Sequence, residues 1–196
     1  MTVVAVQGVP VPPPWVRPTA RLVPWLAVVG PVAGVTLLVH LVQAAELTAP
    51  SVIGIVALAG LSAAVALALD DTAHELTAAL PVDRRRRVAQ RLGLVVPVAV
   101  GGWALAAPVV VPDLPRLDAV ILLISMTSVA VAVAVLVGRA RPGMAATYGA
   151  ATPFAFVAVD LLGARGEGRS VLELWADHPW PVAVAAVVAS VVGLRR

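Results

Sequence analysis

The chain has no cysteine and no lysine, and charged residues make up only 13% of its 196 positions. Without cysteine it cannot be a disulfide scaffold. An ordinary soluble domain is about 25% charged and roughly 45–50% apolar, so 13% charged with 60% hydrophobic excludes a soluble fold of this size. Disorder is excluded by the same figures, because disordered chains combine low hydrophobicity with high charge. What fills the chain is Ala, Val and Leu in long runs, with a mean hydropathy of +0.96. That composition is expected of an integral membrane protein. All 14 basic residues are arginine, which reads as the codon bias of a GC-rich genome and carries no function. Most of the surplus arginine lies in short loops where topology and lipid headgroups account for it, so the pI of about 10.9 is no sign of nucleic-acid binding.

A membrane span needs about 20 predominantly apolar residues at 1.5 Å rise each. Six runs meet this, at about 22–43, 51–69, 92–111, 119–138, 145–163 and 179–194. The last is the shortest and crosses if its helix begins near His178 while Arg195 and Arg196 snorkel to the headgroups. The connections between runs are too short for a separate domain. Residues 1–20 form a Pro-rich arm, since Val9 to Pro14 followed by Trp15, Arg17 and Pro18 cannot be one regular helix. The first apolar run is longer and later than a signal-peptide core, so it is expected to stay in the membrane.

Orientation follows from arginine. With the N-terminus inside, eleven fall on the cytoplasmic side (Arg17, Arg21, Arg84 to Arg87, Arg91, Arg139, Arg141, Arg195 and Arg196) and three outside (Arg116, Arg165 and Arg169). An odd number of spans would break this alternation. The expected fold class is therefore all-α: a polytopic protein of the cell membrane with six transmembrane helices over residues 21–196 and both termini cytoplasmic. Trp25, Tyr148, Trp175 and Trp180 fall near span ends, where amphipathic rings favour the interface, whereas Trp103 lies within a span and is expected to pack in the core.

The most informative stretch is the cytoplasmic loop from Asp70 to Arg91. Thr72 and Glu75 have capping-box spacing, in which hydroxyl and carboxylate each satisfy an orphan donor at a helix start. Ala73, Leu76 and Leu80 give the short helix one apolar face, His74, Glu75 and Thr77 stay available beside it, and Pro81 ends it. Asp83 can cap the next helix, whose first turns carry Arg84, Arg85, Arg86, Arg87 and Arg91. One account of the arginine run is that it sets topology and binds anionic lipid, at about 1 kcal/mol per Arg near the surface. It leaves Asp70, Asp71 and Glu75 unexplained.

A magnesium-diphosphate reading of Asp70-Asp71-x-x-His74-Glu75 lacks the second acidic cluster that such chemistry needs, since no other cytoplasmic loop holds a carboxylate. His74-Glu75 is no zinc-protease helix, because Ala78 stands where the second His would be. Within the spans the ionisable residues are His40 and Asp160, both near outer ends; each is either a functional group of the pathway or a side chain solvated at the interface. An ion-coupled carrier would place charge near the midplane, where these spans have none. Gly30, Pro31 and Gly34 in the first span and Pro97, Gly101 and Gly102 in the third permit kinks or close approach, or reflect the frequency of Gly and Pro in membrane helices. In the last outer loop Ser170 and Glu173 repeat the capping-box spacing, and Val171, Leu172, Leu174 and Trp175 give a short interfacial helix its apolar side.

Six spans, both termini inside, an acidic-then-basic cytoplasmic helix and a small amphipathic helix before the last span together resemble the membrane subunit of an ABC-2-type ABC transporter. The loop, Asp71-x-x-x-Glu75-x-Thr77-x-x-x-x-Pro81-x-x-Arg84 followed by Arg91, looks like that family's coupling segment. The resemblance covers about residues 15–196 and implies a transporter permease, an exporter, whose loop docks on a separate ATPase subunit through Asp71, His74, Glu75, Thr77, Pro81, Arg84 to Arg87 and Arg91. It further implies a second permease copy or paralogue, and an outer gate or pathway at His40, Asp160, Glu173 and Trp175. The chain lacks G-x-x-x-x-G-K followed by Ser or Thr, so it has no phosphate loop of its own. ATP and magnesium would sit on the partner, and this chain would be no enzyme. The alternative is a non-transporting membrane scaffold or sensor that uses the same loop for a partner.

Overall fold

The computed structural model describes residues 25–44, 50–69, 84–110, 115–163 and 177–195, together with Val16, Ala20, Val23 and Trp175. Among the described residues the protein is all-helical: α1 (Trp25–Ala44), α2 (Pro50–Leu67), α3 (Arg84–Val110), α4 (Arg116–Ala140), α5 (Ala145–Gly163) and α6 (Pro179–Arg195), with a 3-10 turn at Pro142–Met144 joining α4 to α5. α1, α2, α5 and α6 are apolar all round rather than along one stripe, as buried or membrane-embedded helices are. Charge and proline punctuate them. α4 opens on Arg116 after Pro115 and closes on Arg139, and α6 starts at Pro179, a residue whose fixed φ and missing N–H suit a first helical turn. α3 runs unbroken from the arginine run into the apolar segment, so the basic residues occupy its first two turns, as the sequence predicts.

Two stretches are long and apolar enough to cross a membrane by length and composition, Arg85–Pro108 and Arg116–Ala140. The apolar stretches Val28–Leu37, Ile53–Leu67, Ala145–Val159 and Pro179–Leu194 are shorter, so among the described residues two of the six expected spans reach full length.

The two apolar clusters sort the helix ends. One cluster joins Val23 and Val28 with Val65 and Ala68, Val95 and Ala99, and Val131 and Val135. These come from the start of α1, the end of α2, the start of α3 and the end of α4. The other joins Val35, Ala57, Leu58, Trp103, Ala106, Leu123 and Val157 with Trp175, from the opposite ends of the same helices and the end of α5. Successive helices therefore run in alternating directions. α4 packs on α2, α3, α5 and α6, and α2 on α1, α3, α4 and α5, which makes these two the inner pair. Their burial agrees: Ala59, Leu61, Ser62 and Ala66 on α2 and Ala119, Ser125, Met126 and Ala130 on α4 are all fully buried.

Small residues let the inner helices close. A Cβ at Gly149 would lie 2.7 Å from Ala134 Cβ and 2.9 Å from the Ala130 carbonyl oxygen, so α5 crosses α4 with backbone nearly touching backbone. Small residues at a crossing let backbones approach this closely. Large apolar side chains instead cover the outside, with Leu26 91% and Leu105 83% exposed and Val184, Val187, Val188, Val191 and Val192 exposed along α6. In water such a surface would aggregate.

Trp103 lies in the core as expected, 1% exposed, its indole N–H donating to the Ala119 carbonyl at 2.8 Å. Trp25, Tyr148 and Trp180 are exposed. Trp175 differs. It is buried rather than laid on the surface, because its N–H finds a partner inside the bundle and its ring stacks edge-on against Phe156, centroids 4.9 Å apart at 84°.

Candidate functional site

Three helix termini meet at the arginine end. α3 begins there with Arg84 to Arg87, α4 ends there at Arg139, and α6 ends there at Leu194 and Arg195. The last four carbonyls of a helix lack intrahelical donors, and that end carries a partial negative charge. Arginines from two other helices supply what is missing: Arg85 Nε donates to the Leu194 carbonyl at 2.6 Å, and an Nη of Arg139 donates to the Val192 carbonyl at 3.4 Å. The C-terminus of α6 is thus pinned to the start of α3 and the end of α4.

Arg84 to Arg87 stand at the unfavourable end of their own helix. The first turn of α3 holds no acidic residue, so positive charges crowd the positive end of the dipole, at a cost of about 0.3–1 kcal/mol each at low ionic strength. The α6 terminus takes one donor of Arg85. Arg86 is exposed, Arg87 half-buried and Arg91, one turn further in, is buried. A basic rim held in place against its own helix dipole is suited to an acidic partner or to anionic headgroups.

Of the residues singled out in the sequence, Asp71, His74, Glu75, Thr77 and Pro81 lie outside the described residues, as do Glu173 and the short outer helix around it. Arg84 and Asp160 are described in backbone only, in the first turn of α3 and the last turn of α5 respectively. His40 is exposed in the last turns of α1. The structure thus brings Arg85 to Arg87 and Arg91 together with Arg139 at one end, and sets Trp175 at the other.

Trp175 belongs to a polar thread that sequence reasoning missed. Its Nε1 donates to Ser125 Oγ at 2.6 Å, Ser125 Oγ donates to the Pro179 carbonyl at 2.9 Å, and the His178 amide donates to the Trp175 carbonyl at 3.2 Å. The start of α6 is thereby tied to the middle of α4. Nearby, Thr127 Oγ1 donates to Ser62 Oγ at 3.3 Å, joining the two inner helices through buried hydroxyls. The signal available was Ser62, Ser125 and Thr127 themselves, small polar residues inside otherwise apolar runs. Such pairs act as interhelical glue worth about 0.6 kcal/mol on average in a membrane protein. No group of three or more His, Asp or Glu that could hold a metal occurs among the described residues.

Compared with known protein families, curated proteins and solved structures, the chain matches none.

Proposed function

We propose that the chain is the membrane-spanning permease subunit of an ABC-2-type transporter, driven by a separate ATPase that docks on the loop between α2 and α3. The observation that carries this reading is the basic rim. The end of α2 and the start of α3 meet in one apolar cluster, and the arginines that follow the acidic loop stand at that same end of the bundle. A loop that leaves and re-enters the bundle there would hand its movement directly to α2 and α3, the helices it joins.

In this reading all six helices cross the cell membrane, with both termini and the arginine rim cytoplasmic. The apolar outer surface of α1 and α6 supports it, since side chains such as Leu26 and Val188 are stable against lipid and not against water. At 1.5 Å per residue α1, α2, α5 and α6 are roughly 26–30 Å long, close to the hydrocarbon thickness of about 30 Å. Two such subunits, identical or paralogous, would enclose the pathway, and ATP with its magnesium would bind the ATPase. Export is the direction the family resemblance implies.

The test is purification of the tagged chain from its native membrane in mild detergent. An ATP-hydrolysing subunit of separate sequence is expected to accompany it in stoichiometric amount. A chain that repeatedly purifies without any ATPase, in several gentle detergents, overturns the permease reading and leaves a membrane scaffold or sensor.

A further inference from the structure

The two halves of α3 are held differently. The second half is anchored: Trp103 is buried with its indole N–H donating to the Ala119 carbonyl of α4 at 2.8 Å, and a Cβ at Gly102 would lie 2.9 Å from Val32 Cγ1 of α1. The first half, from Arg84 to Val96, forms one wall of a half-open apolar cavity whose other walls are α4 and α6. Leu92 and Val96 line it on the α3 side, Val187 and Val191 on the α6 side, and Val131 of α4 lies between them. Along this stretch α6 packs on α4, while empty space lies between α6 and α3.

Pro97 stands where the halves meet. It has no N–H to give to the Gly93 carbonyl, and its ring crowds the preceding turn, so the helix bends more readily there than elsewhere. The far tip of the first half is fastened across the cavity by Arg85, whose Nε donates to the Leu194 carbonyl at the end of α6. That tie is exposed, whereas the bond from Trp103 to Ala119 is buried. An exposed guanidinium that lets go finds water, but a buried indole N–H that lets go is left without a partner. The tip is thus the weaker attachment. Arg139 of α4 donates to the Val192 carbonyl, two residues before Leu194, so the end of α6 also holds like charges of α3 and α4 close together, and their repulsion favours opening. A bend of about 20° at Pro97 moves Arg85, roughly 18 Å along the helix, by roughly 6 Å, and the buried Val95 by about 1 Å. The buried Arg91 moves by about 3 Å, a distance its long side chain can make up.

We propose that the first half of α3 is a hinged arm, bending at Pro97 and strapped shut against the end of α6 by Arg85, so that release of the strap opens the cleft between α3 and α6. Arg85 is then a positioning residue within the chain and not a docking contact. The arm is a property of the bundle itself and goes beyond the permease reading, since it needs neither an ATPase nor a transported substrate. The loop that precedes α3 joins the arm at its moving tip, where the smallest force turns it.

The test uses the full chain in detergent, which has no native cysteine to remove. Nitroxide labels are placed on cysteines at the exposed positions Ala89 and Val192, reporting the arm against the end of α6, and in a second sample at the exposed Leu105 and Val184, reporting the anchored half of α3. Distances are read by electron paramagnetic resonance. Arg85→Ala is expected to lengthen the Ala89 to Val192 distance by about 4 Å, the displacement of a point eight residues from a hinge bent by about 20°, and to leave the Leu105 to Val184 distance as it was. Deletion of residues 194–196 removes the acceptor in place of the donor and is expected to do the same, so it carries the test alone if Arg85→Ala does not fold. Pro97→Ala restores the missing N–H, and in the Arg85→Ala background it is expected to return the distance to that of the parent chain, a rescue that a general loss of packing would not show. An unchanged distance in Arg85→Ala overturns the proposal, as does an unchanged distance in the deletion, which would give the holding to another contact of Arg85. Equal lengthening of both label pairs, or no rescue by Pro97→Ala, overturns the hinge.

Discussion

A Glu75→Arg chain is expected to reach the membrane in normal amount and to lose nearly all ATPase co-purification and coupled ATP hydrolysis. Under the proposed function Glu75 is the acidic contact of a short docking helix, and reversing its sign removes one ion pair while placing a like charge against the partner's basic group. Truncating one partner of a buried, hydrogen-bonded charge pair costs about 2–5 kcal/mol, and reversal costs at least as much. At 1.4 kcal/mol per decade, the lower bound already weakens docking by roughly 30-fold. Glu75 also stands three residues after Thr72, at the spacing of a capping box, so the variant loosens the start of the helix. Thr72→Ala separates the two effects, because it breaks the same box and keeps the carboxylate. Thr72→Ala is expected to retain most of the hydrolysis and Glu75→Arg very little. Equal losses would assign the effect to helix formation, and full activity in Glu75→Arg would remove the loop from the coupling contact.

Gly149→Leu is expected to abolish a monodisperse folded state. A Cβ at this position would meet Ala134 Cβ at 2.7 Å and the Ala130 carbonyl oxygen at 2.9 Å. A side chain can rotate away, but the Ala130 oxygen is backbone of an inner helix and moves only if α4 moves. Overpacking typically costs 1–3 kcal/mol even where side chains can give way, and four packed neighbours of α4 would have to shift here. The smaller Gly149→Ala change is therefore expected to lower the melting temperature by roughly 3–10 °C, at about 2–4 °C per kcal/mol for a chain of this length. Gly101→Leu is the matched control, since nothing lies within 4 Å of a Cβ there. Size-exclusion chromatography and thermal unfolding in one detergent read all three. A folded Gly149→Leu chain with unchanged stability would contradict the tight α4 to α5 crossing.

Helix ends were legible in the sequence because charge and proline interrupt an apolar chain at few places. Arg84 opens α3 directly after Asp83, the expected cap, and Pro179 opens α6 where the last run was expected to begin, whereas α4 opens at Arg116, three residues before the expected span at 119. Helix faces were not legible. A soluble helix advertises its core side by alternating polar and apolar residues, but inner α2 and outer α6 are both apolar on every side, so nothing in them distinguished the inner helices from the outer ones. The same difficulty hid the destination of Trp175. Its position at a loop end resembles that of Trp180, and only the coincidence of Ser125 and Phe156 in space draws the one inward while the other stays exposed. The rim arginines were recognisable as a group along the chain, whereas the joining of Arg85 and Arg139 to the end of α6 depends on contacts across 109 and 53 residues.

The central claim is that six helices cross the membrane with the arginine rim in the cytoplasm, and the absence of native cysteine makes it directly measurable. Single cysteines are placed at Thr77 and Gly143 on the expected inner side and at Thr48, Asp113 and Gly168 on the expected outer side. Intact cells are then treated with a membrane-impermeant maleimide. The account predicts that Thr48→Cys, Asp113→Cys and Gly168→Cys are labelled in intact cells, whereas Thr77→Cys and Gly143→Cys are labelled only after permeabilisation. Labelling of Thr77→Cys in intact cells, or the same accessibility at all five positions, would contradict it.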